Sequence, residues 1–198
     1  MSKKAAKILL VGNPNVGKSV IFNRLTGSDA VVSNYPGTTV DYTEGTFISG
    51  KQEYTVIDVP GAYSLEARDK AEEVAVRMLH EHRDATVVVA LDATRIERGL
   101  YIALETIEMG RSVLIALNMM DLAHDRKISV DDRKLQKLLG VPVVPLSAIT
   151  GEGIMQLSDM IRKAQASDVK DILARAEGRA SEPAQASGCA GCGGCGGC

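Results

Sequence analysis

Eight consecutive residues near the start of the chain have the types and the spacing of a phosphate-binding loop. They match the pattern G-x-x-x-x-G-K-[ST] at every fixed position and comprise Gly12, Asn13, Pro14, Asn15, Val16, Gly17, Lys18 and Ser19. Glycines let backbone N–H groups turn inward around phosphate oxygens, and a helix N-terminus adds a favourable dipole. In this pattern the lysine meets the β- and γ-phosphates and the serine hydroxyl takes one position on Mg²⁺. The segment predicts a nucleotide site, and a chance glycine-rich turn is the alternative.

A second segment follows about 40 residues later and consists of Asp58, Val59, Pro60 and Gly61. It stands at the end of a predicted strand, where an acidic side chain can hold Mg²⁺ through water and the N–H of Gly61 can approach a γ-phosphate. By itself the sequence D-x-P-G is only a turn. Its place after the phosphate loop favours the magnesium and phosphate interpretation.

Two further segments follow later predicted strands and have the chemistry of guanine recognition. The first contains Asn118, Met119, Met120 and Asp121, and the second contains Ser147, Ala148 and Ile149. A carboxylate accepts from both the ring N–H and the exocyclic amine of guanine, which adenine does not present together, so the wrong base is left unpaired. A backbone N–H of the second segment can contact the guanine carbonyl. The motifs are weak singly, but their order along the chain predicts a guanine-nucleotide site.

The apolar pattern shows which elements must position these segments. Six strands are predicted, at Lys7–Val11, 42–49, 52–58, Ala85–Leu91, Ser112–Leu117 and Val141–Leu146. Helical periodicity fills the intervals, and the last helix is predicted to continue to about Ala176, while residues 28–41 are predicted to be a long loop. We therefore predict an α/β fold with a doubly wound, mostly parallel six-stranded sheet and one antiparallel edge strand. Pro142 favours a sheet edge for the last strand.

Composition excludes several other classes of protein. The chain has 23 Lys+Arg against 25 Asp+Glu, so the basic face that bulk nucleic-acid binding requires is not expected. No apolar run approaches the roughly 18–20 residues that cross a bilayer, and no signal peptide is evident at the start. We expect no transmembrane segment and no nucleic-acid partner.

All four cysteines lie in a glycine-rich stretch at the end of the chain, at Cys189, Cys192, Cys195 and Cys198. The preceding residues contain no cysteine, so the fold is not built on disulfides. Four thiolates at this spacing can bind Zn²⁺, Cu⁺ or an iron–sulfur cluster. The open interpretations are a transient metal-binding tail, redox or disulfide chemistry, and a remnant without specific function.

The amino-acid sequences of four segments resemble the cytoplasmic G domain of the ferrous-iron transport protein B family, a group of translation-factor-like P-loop GTPases. These segments are residues 12–19, 35–41, 58–65 and 118–121. The resemblance covers about residues 5–165. It implies a GTPase fold, Mg²⁺, slow hydrolysis of GTP to GDP and phosphate, and two switch segments at about 29–41 and 60–70. It also implies a link to ferrous-iron uptake.

The resemblance assigns roles to the first switch segment, whose nucleotide-facing residues are Gly37, Thr38, Thr39, Val40 and Asp41. Thr39 is the threonine expected to reach Mg²⁺ and the γ-phosphate, and Thr38 is the less favoured neighbour. The implied Mg²⁺ ligands are thus Ser19, Thr39 and, through water, Asp58. The implied catalytic residues are Asn15, Lys18, Thr39 and Gly61.

Two departures from common GTPases bear on mechanism. Ala62 stands where Ras-like enzymes place the glutamine that orients the attacking water. In GTPases that resemble this chain, K⁺ held partly by an asparagine at the position of Asn15 supplies charge beside the phosphates; the alternative is that Asn15 only shapes the loop. Met119 replaces the usual lysine beside the base, so weaker binding and rapid nucleotide exchange are expected.

The predicted organisation is a GTPase domain at 1–166, a helix extension at 167–177 and a flexible Gly/Cys-rich tail at 178–198. Because no residues remain for helical or membrane domains, we expect an excised or free-standing G domain with a membrane iron-transport component as partner. Such a chain is expected in the cytoplasm or at the inner face of the membrane. The alternatives are a nucleotide-controlled binding switch, a metal carrier that uses the cysteine tail, and a GTPase of the ribosome or tRNA type.

Overall fold

The computed structural model describes residues 5–27 and 30–178, so the four predicted tail cysteines lie outside the described residues. The strands are β1 Ala6–Gly12, β2 Ala30–Asn34, β3 Asp41–Ser49, β4 Gln52–Asp58, β5 Thr86–Asp92, β6 Val113–Asn118 and β7 Val143–Pro145. The helices are α1 Lys18–Thr26, α2 Lys70–Glu81, α3 Ile96–Glu108, α4 Met120–Asp125, α5 Asp132–Leu139, α6 Ile154–Met160 and α7 Val169–Ala176. A short 3₁₀ turn, Ile161–Lys163, follows α6.

The strands form one sheet in the order β2-β3-β4-β1-β5-β6-β7. β1 pairs in parallel with both β4 and β5, and β5–β6 and β6–β7 are also parallel. β3 pairs antiparallel with both of its neighbours. The mostly parallel α/β fold is confirmed, and so is the edge position of the strand that follows Pro142.

Helices cover both faces of the sheet because side chains alternate along the central strand β1. Leu9 and Val11 face a core shared with α2 and α3, while Ile8 and Leu10 face a second core shared with α1 and α6. The parallel strands are buried on both faces, as short continuous apolar runs predict. The carboxyl ends of β1, β4 and β6 consequently lie along one edge of the sheet, where the motif residues follow.

Two predictions about elements were wrong. The segment 28–41 was expected to be a loop, but residues 30–34 form β2 and pair with β3 from Ala30↔Gly45 to Asn34↔Asp41. The sheet therefore has seven strands and not six. A partner strand decides this, because three apolar residues followed by Ser33 and Asn34 carry too little periodicity to indicate a strand alone.

The last predicted helix also differs. It ends at Met160 and, after the 3₁₀ turn, Gln165 forms a β-bridge with Val113. A new helix begins after Asp168, whose carboxylate accepts from the N–H of Lys170 at 2.7 Å. The cap and the bridge together break the helix that apolar spacing alone predicted. No helix within the described ranges has the length and apolarity needed to cross a membrane.

Candidate nucleotide-binding site

The loop between β1 and α1 adopts backbone conformations that favour glycine or asparagine. Gly17, the residue before α1, has φ 87° and Asn15 has φ 64°. A Cβ on Gly17 would lie 2.4 Å from Nδ2 of Asn118, and one on Gly12 would lie 2.6 Å from the carbonyl oxygen of Ala90. The glycines at both ends of the motif are therefore required by close packing as well as by dihedral angle.

Lys18 is nearly buried, and its ammonium folds back over the loop. Its Nζ donates to the carbonyl oxygens of Gly12 at 3.2 Å and Asn13 at 3.3 Å. Burial lowers the pKa of Lys18, and the nearby Asp58 carboxylate partly opposes this shift. An anion placed in the loop would add the negative charge that the buried ammonium favours. The geometry fits a phosphate-binding lysine.

Ser19 and Asp58 lie together, although 39 residues separate them in sequence. The Ser19 hydroxyl donates to Oδ2 of Asp58 at 2.9 Å. Oδ1 of Asp58 is buried and has no hydrogen-bond partner among the described residues. Burial raises the pKa of Asp58, whereas Lys18 and the Ser19 hydrogen bond lower it. A hydroxyl beside a carboxylate with an unpaired oxygen fits a hard, oxygen-preferring cation such as Mg²⁺.

The segment that follows Asp58 rests on the phosphate loop. The N–H of Val59 donates to the carbonyl of Leu10 at 3.1 Å, and the N–H of Ala62 donates to that of Gly12 at 3.3 Å. A Cβ on Gly61 would lie 3.1 Å from atoms of Pro14. The segment therefore packs directly against the phosphate loop. Ala62 is 1% exposed and offers no side-chain donor or acceptor.

Two carboxylates on neighbouring helices hold the next residues. Glu72 of α2 accepts from the N–H groups of Tyr63 at 3.1 Å and Arg68 at 2.9 Å. Glu105 of α3 accepts from the hydroxyl of Ser64 at 3.1 Å and from the N–H of Leu65 at 2.8 Å. The donors thus come from the segment after Gly61 and the acceptors from the two helices. These contacts determine the path of the second predicted switch segment.

Asn118 connects the phosphate loop to the loop after β7. Its Nδ2 donates to the carbonyl of Val16 at 2.8 Å, and its Oδ1 accepts from the N–H of Ala148 at 2.9 Å. Asn118 is 3% exposed, so both contacts are shielded from water. Met119 follows in a left-handed conformation and Asp121 lies in the first turn of α4.

These segments surround one cleft of about 390 Å³. Its lining residues come from three of the predicted motifs and from α1: Asn15, Gly17, Lys18, Ser19, Val20, Asn118, Met119, Asp121, Ala148 and Ile149. Residues of the phosphate loop and Asp121 therefore line the same cleft. Asn15 is among the lining residues, and its positive φ fits the loop-shaping alternative.

Some groups that were predicted to contact the nucleotide form contacts within the protein instead. The N–H of Ser147 donates to the carbonyl of Glu152 at 3.0 Å, and the N–H of Ala148 donates to Asn118, so neither points freely to a guanine carbonyl. Val59 is buried in the core, and Met120 packs against the same core. The side chain of Val59 is therefore not available to a ligand.

The first predicted switch segment does not line the cleft. The N–H of Tyr35 donates to the carbonyl of Val40 at 2.9 Å, which closes a small loop. The Thr38 hydroxyl donates to the carbonyl of Tyr35 at 3.0 Å, while Thr39 is exposed. None of the described residues 35–41, which include Gly37 and Asp41, is among the lining residues. Among the residues that the structure describes, no hydrogen bond joins Thr39 to Ser19 or Asp58.

A comparison with protein families identifies this arrangement. The family model described as "Ferrous iron transport protein B" matches residues 6–161. The chain belongs to this family. It is 39% identical over 157 residues to the Fe(2+) transporter FeoB of Legionella pneumophila (strain Paris), a match that covers 77% of this chain and 21% of the relative. It is 35% identical over 178 residues to the Fe(2+) transporter FeoB of Salmonella typhimurium, covering 88% and 23%. The chain thus spans about a fifth of these relatives.

Solved structures of the family have the same fold. The G domain of T. maritima FeoB superposes with a TM-score of 0.76 at 38% identity, covering 81% of this chain and 98% of that one. The FeoB G domain of Methanococcus jannaschii gives 0.72 at 44% identity, covering 82% and 98%. The cytosolic domain of L. pneumophila FeoB gives 0.79 at 38%, covering 82% and 64%. This chain is therefore a FeoB-type G domain in fold.

Sequence reasoning missed the two carboxylates that hold the segment after Gly61 in this family member. Glu72 lies three residues before Ala75 on the buried face of α2, where a charged residue interrupts the apolar stripe. This interruption of the apolar stripe is the sequence signal that could have identified Glu72, because a charged residue on a buried face requires a partner. Glu105 is half-buried and gives no comparable indication in the sequence.

Proposed function

We propose that this chain binds GTP and hydrolyses it to GDP and phosphate. The observation that carries the proposal is that Lys18, Ser19 and Asp121 line the same cleft. Among relatives, a cytosolic domain of T. maritima FeoB is described in a GDP form, and an S. thermophilus NFeoB mutant is described as bound to GDP. Those descriptions support guanine nucleotide as the ligand of this cleft.

In this proposal Asp121 selects guanine through the ring N–H and the exocyclic amine, which its two carboxylate oxygens accept. Met119 covers the base with an apolar side chain in place of a lysine stem. Asn118 supports the site indirectly, because its side-chain amide forms hydrogen bonds to both the phosphate loop and the Ala148 loop. Binding is expected to be weaker than with the usual lysine.

Mg²⁺ fits between the phosphates and the pair formed by Ser19 and Asp58, where it would neutralise charge on the β- and γ-phosphates. The Ser19 hydroxyl would bind directly and Asp58 through water. Thr39 is the remaining ligand in the proposal, because the Thr38 hydroxyl already donates to the carbonyl of Tyr35. Thr39 must move toward the phosphates to take this role.

Hydrolysis in this chain must proceed without a side chain at position 62 that can orient water. The proposed substitutes are the backbone N–H of Gly61, beside the phosphate loop, and positive charge from K⁺ held partly by the side-chain oxygen of Asn15. Lys18 stabilises the charge on the transferred phosphoryl group. The residues after Gly61 are held by Glu72 and Glu105, so the backbone near the γ-phosphate has a defined path.

Because the chain belongs to this family, we propose that its cycle of GTP binding and hydrolysis serves ferrous-iron uptake by a membrane component. In this proposal the chain acts on the cytosolic side of the membrane. The proposed domain limits remain a GTPase domain at 1–166, a helix extension at 167–177 and a tail from 178. A metal-binding role for Cys189, Cys192, Cys195 and Cys198 also remains a proposal.

The test is GTP hydrolysis by the purified chain in KCl and in NaCl, for wild type, Asn15→Ala and Lys18→Ala. We expect phosphate release by wild type that is faster in KCl, loss of the KCl effect in Asn15→Ala, and loss of nucleotide binding in Lys18→Ala. Equal rates in both salts for wild type and Asn15→Ala would contradict the K⁺ role. No phosphate release under any condition would contradict hydrolysis itself.

A further inference from the structure

Arg24 of α1 donates to the backbone of the loop after β7, more than 120 residues away in sequence. Its Nε donates to the carbonyl of Ala148 at 3.0 Å, and its Nη2 donates to the carbonyl of Ile149 at 2.5 Å. The planar guanidinium therefore binds two consecutive carbonyl groups with two of its N–H groups. A fork of this shape is specific to arginine, because lysine offers a single charged point.

The loop after β7 also has a hydrogen bond to Asn118 and a hydrogen bond between two of its own residues. The N–H of Ala148 donates to Oδ1 of Asn118, and the N–H of Gly151 donates to the carbonyl of Ser147 at 2.8 Å. A Cβ on Gly151 would lie 3.7 Å from Nη1 of Arg24, so the guanidinium is in contact with the loop as well as hydrogen-bonded to it. The peptide at Ala148 thus lies between the amide of Asn118 and the guanidinium of Arg24.

The position of Arg24 on α1 connects the two ends of the cleft. Lys18, at the start of this helix, serves the phosphate end, and Arg24 lies six residues later, roughly 9 Å along the helix axis. No carboxylate within residues 5–27 and 30–178 forms an ion pair with Arg24. Its hydrogen bonds to the loop therefore have no such competitor among those residues.

We propose that Arg24 is a positioning residue that holds the guanine-side wall of the cleft, formed by Ala148 and Ile149, and thereby slows nucleotide release. The inference rests on the proposed guanine-nucleotide function. A loop fixed from both sides is already arranged for the bound base, so opening it is the step that Arg24 opposes. Without Arg24, the side chain of Asn118 still holds the N–H of Ala148, but the carbonyl groups of Ala148 and Ile149 lose their side-chain donor.

The experiment measures dissociation of a fluorescent GDP analogue by stopped flow from wild type, Arg24→Ala, Arg24→Lys and Asn23→Ala. Asn23 is the matched control, because it is exposed on the same helix and its side chain makes no hydrogen bond to the loop. We expect Arg24→Ala to raise the dissociation rate about fivefold, since one part-buried and one exposed hydrogen bond are lost. Arg24→Lys should give an intermediate rate and Asn23→Ala the wild-type rate, with association rates nearly unchanged.

Hydrogen exchange gives a second readout that a general loss of stability would not reproduce. In Arg24→Ala, exchange should increase at residues 147–152 and stay unchanged at 12–19. A dissociation rate of Arg24→Ala equal to that of wild type and Asn23→Ala would overturn the proposal. If Arg24→Ala does not fold, Arg24→Lys decides by the same criterion. If wild type binds no GDP analogue, the nucleotide function fails as a whole, which is a separate outcome.

Discussion

Replacing Glu105 with glutamine tests whether the path of the segment after Gly61 matters for hydrolysis. The two carboxylate oxygens accept from Ser64 Oγ at 3.1 Å and Leu65 N at 2.8 Å. Glutamine keeps the size but retains one acceptor and turns an NH₂ group toward the other donor. A hydrogen bond to a charged group contributes about 1.5–3 kcal/mol. Because Glu105 is half-buried, we expect the segment to lose about 2 kcal/mol of its local stability, near the lower end of that range.

A loss of about 2 kcal/mol corresponds to at most a 30-fold change in a rate that requires the held conformation. We therefore expect Glu105→Gln to lower kcat for GTP by about 5- to 30-fold. The affinity for GDP should stay within about twofold of wild type, because neither Glu105 nor Ser64 nor Leu65 lines the cleft. Phosphate release at saturating GTP and a GDP titration measure the two quantities separately.

The control is Glu108→Gln on the same helix, since Glu108 is exposed and, among the described residues, its side chain forms no hydrogen bond to the segment. Ser64→Ala removes one of the two donors and should lower kcat by a smaller factor. If the kcat of Glu105→Gln equals that of Glu108→Gln while both proteins are folded, the held path is irrelevant to hydrolysis and the reasoning is wrong.

Two further predictions concern stability. Gly17→Ala should lower the free energy of unfolding by about 2–3 kcal/mol, through a left-handed φ and a Cβ 2.4 Å from Asn118 Nδ2. Gly110→Ala is its control, because its φ of 70° is also positive but nothing lies within 4 Å of an added Cβ, so only about 1 kcal/mol is expected; equal losses in urea unfolding would remove the steric argument. For pH, burial lowers the pKa of His82, with a smaller contribution from Lys7, and the carboxylates of Glu81 and Glu44 oppose it. The unfolded state then takes up the proton first as pH falls below the ordinary value of about 6.5, so this part of the stability is lost on acidification. His82→Gln should flatten the decrease between about pH 7.5 and 5.5 in urea unfolding, and an unchanged slope would exclude His82 as its source.

The position of the site could be predicted from the sequence because parallel strands place their carboxyl ends at one edge. Once β1, β4 and β6 were assigned from apolar runs, the residues that follow them had to meet. The structure brings Ser19 to Asp58 and Asn118 to the phosphate loop accordingly. Local patterning suffices for such contacts, since the backbone of regular elements determines them.

Contacts between a side chain and a distant backbone could not be predicted in this way. Arg24 and Glu105 reach loop atoms 124 and 40 residues away, and neither spacing has a period that a strand or helix imposes. β2 was missed for a related reason, since its identity as a strand depends on the pairing with β3. What these residues share is that tertiary neighbours, and not local propensity, decide their role.

The helix α2 contacts both predicted switch segments. Glu72 near its start accepts from Tyr63 and Arg68, and Glu81 at its end accepts from the buried Tyr35 hydroxyl at 2.5 Å. Tyr35 in turn closes the loop that carries Thr39. If Thr39 moves to Mg²⁺, the Tyr35 anchor must either stay and act as the hinge or leave the core and release Glu81. Because Tyr35 is 7% exposed and packs in the core, leaving it costs apolar burial as well as a hydrogen bond. We therefore expect the hinge to lie after Tyr35, at Gly37, whose positive φ and open surroundings permit the rotation.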